Sequence, residues 1–199
     1  MILSAKKARK DLSADSLFRL VRSRLHRLPD RRAAADIPLG DALMSAFAMF
    51  SLKDPSLLAF DERRHDPNDN FRSIYGIGHV PCDTQMRALL DPADPNDLWP
   101  LFSDVFRRLQ RGKALERFVY LEGHYLLSLD GTTYFSSTKV HCSSCLEKHH
   151  RGGGVTYSHQ LLGATLVHPD RKEVIPLAPE PIINQDGHTK NDCERTCLP

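Results

Sequence analysis

The sequence predicts an α+β fold, with helices up to about residue 115 and strands after it. In the first half, apolar residues recur at helical spacing, as in Leu17, Val21 and Leu25. From Phe118 onward the pattern becomes extended, and residues 155–167 alternate apolar and polar side chains as a strand does. No helical pattern follows these strands, so we expect an incomplete sheet whose two faces are not both covered.

The helical half is predicted to contain six segments, which begin near residues 14, 39, 56, 71, 83 and 96. Ser13 is suited to cap the first helix, and Pro29 to terminate it. Phe47 and Phe50 are predicted to face inward from the second helix. Gly76 fits the C-terminal end of the fourth segment, because glycine readily adopts the left-handed conformation found there.

The second half is predicted to contain four strands, at residues 118–121, 125–129, 155–167 and 173–177. Residues 133–135 continue the extended chain, and Pro176 indicates an edge or a strand end. We expect the chain to leave the sheet at residues 179–181 and to begin a helical turn at 190–196. The predicted domains are therefore residues 1–115, a helical DNA-binding region, and residues 116–199, the strand-rich part.

Composition indicates a cytoplasmic globular protein. Hydrophobic residues make up 41% of the chain and charged residues 26%, which are ordinary values. No run of 18 apolar residues exists, and the apolar piece at the N-terminus is too short for a secretory signal.

Charge is distributed unevenly along the chain. Residues 1–32 hold ten Lys or Arg against three Asp, a balance of +7, whereas the rest holds 17 basic against 22 acidic residues, a balance of −5. A basic segment on an acidic chain favours a polyanionic partner such as DNA, because phosphate neutralisation releases counterions. Arg19, Arg22 and Arg27 lie on the polar side of the first helix and are predicted DNA contacts. A solvated helix face is the alternative.

Asp130 follows the apolar run 125–129 and is predicted to lie at the end of that strand. A carboxylate in this position is suited to Mg²⁺, which prefers oxygen ligands and assists phosphoryl transfer. The alternative is an Asp-Gly turn between two strands, since both residue types are common in hairpin turns.

The five cysteines include one pair at metal-binding spacing, Cys142 and Cys145, with several histidines nearby. Cys-x₂-Cys suits tetrahedral Zn²⁺, but a complete site needs four ligands, which Cys193 or His159 could help to supply. The alternative is a pair of ordinary thiols in a loop. A redox role is less favoured, because no βαβ pattern surrounds the pair.

Residues 71–90 have the outline of a helix–turn–helix. The second helix would present Thr84, Gln85 and Arg87, whose side chains are suited to contacts with phosphates and base edges. A plain helical hairpin is the alternative.

Several blocks of the chain together resemble bacterial insertion-sequence transposases of the DDE type. The resemblance covers nearly the whole chain in order. Its blocks are residues 37–91, 129–137, 141–146, 157–159, 174–180 and 190–194.

This resemblance implies a ribonuclease H-like catalytic core with a mixed sheet, preceded by a DNA-binding part. In that family two Asp and one Glu hold two Mg²⁺ ions, which activate water and then a DNA 3′-hydroxyl for attack on phosphodiesters. Only Asp130 of this chain matches one of the three carboxylates. The implied role of Asp130 is therefore that of a catalytic Mg²⁺ ligand, and the implied partner is DNA at insertion-sequence ends.

The match ends at Glu194, where the family continues into a long helix that residues 195–199 do not resemble. We therefore expect a truncated transposase, inactive by itself. Two other readings stay open: a non-catalytic DNA-binding protein that regulates transposition, and a small zinc-stabilised protein without a DNA role. Assembly of the chain into a homo-oligomer is also left open.

Overall fold

A computed structural model describes residues 12–32, 36–65 and 70–183 of the chain. The chain divides into two compact units, residues 1–113 and residues 114–199. None of the helices in the described ranges is both long enough and apolar enough to cross a bilayer. The turn predicted at 190–196, with Cys193, and four of the ten basic residues of the N-terminal segment lie outside the described residues.

The first unit is helical in its described part, in agreement with the sequence. Ser13 caps the first helix as predicted, because its Oγ accepts a hydrogen bond from the Ser16 amide at 3.3 Å. A short 3₁₀ turn, Pro95–Leu98, precedes the last helix. The helices are α1 (Ala14–Leu25), α2 (Leu39–Ser51), α3 (Leu57–Arg63), α4 (Asn70–Ser73), α5 (Asp83–Leu90) and α6 (Trp99–Arg111).

The core of this unit collects apolar faces from α1, α2, α3 and α5 and from the loop before α5. Aromatic rings pack edge to face inside it: the Phe18 ring lies 5.6 Å from that of Phe47 and 5.4 Å from that of Tyr75. Phe50 does not join them, since 75% of its surface is exposed, and its predicted inward orientation is wrong. The ten buried members of the core are Val21, Leu25, Leu39, Leu43, Met44, Ala48, Phe60, Tyr75, Ile77 and Met86.

The second unit contains a five-stranded antiparallel sheet built around one long strand. The strands are β1 (Leu126–Ser137), β2 (Leu146–His149), β3 (Val155–Val167), β4 (Ile175–Pro176) and β5 (Glu180–Ile182). On one side β3 pairs with β1 along nearly its whole length. On the other side it pairs in turn with β2, β5 and β4.

The order of helices and then strands is confirmed, but the predicted mixed sheet is not what these strands form. Every pairing in residues 114–183 is antiparallel. The reason is the length of the connections: residues 150–154, between β2 and β3, and residues 168–174, between β3 and β4, are short enough to turn back, whereas parallel pairing needs a crossover of a dozen or more residues. A ribonuclease H-like core is therefore not shown by this sheet.

The predictions for residues 118–121 and for residues 179–181 differ from the structure. Residues 118–121 form no strand, because the chain makes the 3₁₀ turns Leu115–Phe118 and Leu121–Gly123, and only Val119 bridges to Tyr125. Residues 180–182 join the sheet as β5 instead of leaving it. The strand at residues 155–167 is confirmed with the predicted bounds, and the short β4 fits the strand end indicated by its proline.

The two faces of the sheet differ in character. Directly paired residues of an antiparallel sheet project to the same side, so the register assigns each side chain to a face. Leu162 and Leu166 lie on one face, where Leu162 forms a buried cluster with Leu146 and Ile182. Asp130, which pairs with Gly163, lies on the opposite face, and so does His159.

Candidate metal centre

Three side chains in the second unit converge as metal ligands do: Cys142, Cys145 and His159. The two Sγ atoms lie 3.8 Å apart, and each lies 3.3 Å from His159 Nε2. A Zn²⁺ ion with bonds of about 2.3 Å to sulfur and about 2.0 Å to nitrogen would place tetrahedral ligands about 3.8 Å (S···S) and about 3.5 Å (S···N) apart. The group could therefore hold a metal such as zinc with adjustments of a few tenths of an ångström.

The cysteine pair is positioned by a tight turn before β2. The Cys145 amide donates to the carbonyl oxygen of Cys142 at 3.3 Å, and the Cys142 amide donates to the sulfur of Cys145 at 3.3 Å. This second hydrogen bond holds the Cys145 sulfur beside the Cys142 backbone. Cys145 is buried, whereas Cys142 is exposed. The site therefore lies at the surface and is accessible to an ion from solvent.

His159 comes from the central strand, and a bulge in β1 determines its surroundings. The β1–β3 register shifts between Thr133 and Phe135, so that Phe135 pairs with His159. The imidazole stacks on the Tyr134 ring at 5.9 Å and packs against the Phe135 ring at 5.7 Å. Bulges re-aim side chains in this way, and here two rings hold the imidazole toward the sulfur atoms.

The other histidines near the cysteine pair have different partners. His141 stacks on Tyr157 at 4.2 Å, and this contact anchors the chain immediately before Cys142. His149 lies 3.3 Å from a Glu147 carboxylate oxygen, and His150 Nε2 lies 2.8 Å from Thr156 Oγ1. In the described part of the chain, His159 is therefore the histidine that completes the group with the two sulfur atoms.

Asp130 lies within β1 and not at its end, so its predicted position was wrong. The strand continues seven residues further to Ser137 because β3 is long enough to pair with it throughout. This continuous pairing also excludes the Asp-Gly turn. The Asp130 side chain is exposed, and among the described residues no hydrogen bond or ion pair holds its carboxylate.

No Mg²⁺ site is formed around Asp130 by the described residues. Asp130 belongs to no group of three or more potential ligands within them. Gly163, its partner on β3, is four residues from His159, which corresponds to about 13 Å along the strand. Asp130 and the cysteine–histidine group therefore cannot share one ion.

The predicted DNA contacts are scattered over the helical unit. Arg19 is exposed, and Arg22 packs against Gly76, where an added Cβ would lie 2.0 Å from Arg22 Nη1. Arg27 lies in a different groove, with Arg24 and three arginines of α6. The helical spacing of Arg107, Arg108 and Arg111 is the sequence signal that places these three on one face of α6.

The segment at residues 71–90 does not form a helix–turn–helix. Nine residues, 74–82, separate α4 from α5, whereas that motif uses a turn of three or four. Gln85 Oε1 accepts from the Cys82 amide at 3.2 Å, and Thr84 Oγ1 donates to Asp83 at 3.0 Å, so both serve the start of α5. Arg87 is exposed.

Comparison with known proteins returned no match in any of three searches: against protein-family models, against curated proteins and against solved structures.

Proposed function

We propose that this chain is a DDE-type transposase of an insertion sequence, in which Asp130 is the first metal-binding carboxylate. The observation that supports the proposal is the location of Asp130 on a long, fully paired strand, with its carboxylate exposed on one face of the sheet. Gly163, which pairs with Asp130 on β3, has no side chain that could cover this carboxylate. In this proposal the antiparallel β1–β3 pair is the beginning of a ribonuclease H-like core.

The proposed chemistry is assisted by Mg²⁺ and is incomplete in the described residues. Asp130 would supply one oxygen ligand, whereas two ions that clamp the attacking and leaving oxygens need several carboxylates. The described ranges bring no group of three ligands together at Asp130. We therefore expect this chain by itself to bind DNA without cutting or joining it.

The test uses short DNA duplexes that tile the genomic DNA on either side of the gene. Purified chain should bind at least one tile at least about ten-fold more tightly than a shuffled duplex of equal length, since specific sites typically exceed non-specific DNA by about 10³-fold or more. It should release no cleaved strand with Mg²⁺ or Mn²⁺. Equal binding to all duplexes would contradict the transposase proposal. If the wild-type chain cleaves DNA and its Asp130→Asn variant does not, the expected inactivity is contradicted.

A second candidate, a DNA-binding regulator without chemistry, is favoured by the isolation of Asp130 together with the exposed arginines of the helical unit. Such a protein would occupy the element ends and exclude the active enzyme. Expressing the chain in trans should lower the transposition frequency of the intact element. The Asp130→Asn variant of the chain, expressed in the same way, should lower this frequency equally. An unchanged frequency would remove this candidate.

We also propose that the ion held by Cys142, Cys145 and His159 is Zn²⁺. Two thiolates and an imidazole are a donor set that zinc prefers, and the ligand separations match its tetrahedral geometry closely. Zinc here would tie the loop at residues 138–145 to the central strand. The described residues supply three ligands, and a structural site takes a fourth.

Zinc content measured by mass spectrometry tests this site. The chain should carry about one zinc after dialysis, and Cys142→Ser or His159→Ala should lose it. His149→Ala is the matched control, since its imidazole contacts Glu147 instead, and it should retain zinc. A wild-type chain without zinc, or equal loss in the control, would overturn the assignment.

A further inference from the structure

The strongest charged feature of the helical unit is a groove between α1 and α6. The two helices run antiparallel: Arg24 contacts Asp104, Arg108 contacts Ser16, and Leu12 approaches Gly112. Five arginines line the groove, which we call the arginine groove. They are Arg24, Arg27, Arg107, Arg108 and Arg111.

The arginine groove carries an excess of positive charge. Asp104 is the single carboxylate among its lining residues, and it contacts both Arg24 and Arg107, the latter at 3.4 Å. Arg27 and Arg111 are exposed, and neither makes an ion pair within the described residues. Five guanidinium groups against one carboxylate leave a net charge of +4, which favours an anionic ligand.

Part of the groove is preorganised. Arg108 Nη1 donates to the Ser16 carbonyl oxygen at 3.1 Å and to Ser16 Oγ at 2.6 Å, and Ser16 is buried. Asp104 holds Arg24 and Arg107, and its side chain is only 12% exposed. Guanidinium groups already held in place lose less rotamer entropy when a ligand binds.

The length of the groove selects the kind of ligand. Arg111 lies seven residues beyond Asp104 on α6, about 10 Å along the helix axis, and Arg27 extends the row at the other end. A single phosphate ion would contact the arginines at only one end of this row. Successive phosphates of a DNA strand are about 3.4 Å apart along the duplex axis, so several could contact the row together.

We infer that the arginine groove binds the phosphate backbone of duplex DNA. This inference rests on the proposed function and adds the site through which the helical unit contacts DNA. The contact positions the chain on DNA without reading its sequence, because guanidinium–phosphate bonds are made to every sequence alike.

Fluorescence anisotropy with a labelled duplex at several NaCl concentrations tests the groove. Arg27→Ala with Arg111→Ala removes the two groove arginines that pair with no carboxylate of the described residues, so we expect the fold to be kept. Two lost phosphate contacts should weaken binding about ten-fold and lower the slope of log K against log [salt] by about 2. Arg27→Lys with Arg111→Lys should retain most of the slope.

The matched control removes equal charge from the other unit. Lys148→Ala with Arg151→Ala changes two exposed cations on and beside β2 and should lower the slope by less than half as much. If the wild-type chain binds DNA and both alanine double variants lower the salt slope equally, the assignment of the arginine groove as the DNA-binding site is overturned, while the proposed function stands. If the wild-type chain shows no salt-dependent DNA binding, both are overturned.

Discussion

Asp41 shows how a buried charge in the helical unit is compensated by hydrogen bonds. Its Oδ2 accepts from the backbone amides of Gly78 and His79 at 3.1 and 2.8 Å, and His26 Nε2 lies 3.6 Å from Oδ1. The carboxylate therefore joins α2 to the loop before α5. Without it, the two amides of that exposed loop would lose the acceptor that fixes the loop to α2.

Replacing Asp41 by alanine should lower the free energy of unfolding by about 1–3 kcal/mol, because two hydrogen bonds to a buried carboxylate would be lost. Asp41→Asn should cost less, since its amide oxygen still accepts. Urea denaturation measures both. Asp36→Ala, at an exposed position, serves as the control. Equal effects of the alanine variants at positions 41 and 36 would contradict this role.

Two glycines should respond oppositely to alanine. Gly76 has a φ of 66°, a left-handed conformation that strains other residues, and its added Cβ would meet Arg22. Gly76→Ala should therefore cost about 1–2 kcal/mol of stability. At Gly163 an added Cβ would lie 3.7 Å from the Asp130 carbonyl oxygen, an ordinary contact.

Gly163→Ala should consequently be neutral or slightly stabilising, because glycine within a strand loses more entropy on folding than alanine does. Thermal unfolding followed by circular dichroism compares the two variants. Greater destabilisation by Gly163→Ala than by Gly76→Ala would contradict both assignments.

At the scale of elements, an ion pair closes the connection between α1 and α2. Arg32 donates to Asp30 through Nε at 2.7 Å, and Asp30 also accepts from the Leu39 amide at 3.2 Å, at the start of α2. Mainly because of the Arg32 side-chain hydrogen bond, the pKa of Asp30 falls from its ordinary value of 3.8 to about 2.

The lowered pKa sets the pH range in which this contact stabilises the fold. The contribution is present above pH 3.8 and should be lost as pH falls toward 2, because the unfolded chain takes up the proton first. Carboxyl chemical shifts measured by NMR should give a midpoint near 2 for Asp30. In Arg32→Ala the midpoint should return toward 3.8, and an unchanged midpoint would contradict this cause.

The accuracy of the sequence predictions differs from one element to the next. Ser13 as a cap and the strand at residues 155–167 follow from local spacing, and both were predicted correctly. The segment at 118–121 has strand-like residues but forms turns, since only Val119 finds a bridging partner. Pairing with distant strands, which local spacing does not contain, decides such segments.

At the scale of the whole molecule, the two units differ in the size of their cores. Among the described residues, ten buried residues form one cluster in the helical unit, whereas the second unit has a cluster of three, Leu146, Leu162 and Ile182, with Leu115, Phe118 and Leu166 also buried. Leu127 and Leu129, on the same face of the sheet, remain 48% and 43% exposed. The described part of the sheet buries little apolar surface, so we expect other constraints to add to its stability, and the proposed zinc site is one.

Removing zinc should therefore destabilise the sheet unit selectively. After treatment with EDTA, hydrogen exchange should become faster in β2 and β3 and stay unchanged in α2 and α5. His159→Ala should show fast exchange in these strands before treatment and no further change after it. Equal acceleration in both units would contradict a metal that stabilises one of them.

The sequence by itself determined the order of helices and strands, the helix cap at Ser13 and the cysteine pair at metal-binding spacing, because each depends on residues close together in the chain. Only the tertiary structure decided that His159 joins Cys142 and Cys145, that Asp130 lies within a continuous strand, and that arginines of α1 and α6 form one groove. These features depend on strand register, a β-bulge and helix packing. Contacts between residues far apart in the chain set all three, and such contacts leave little trace in local spacing.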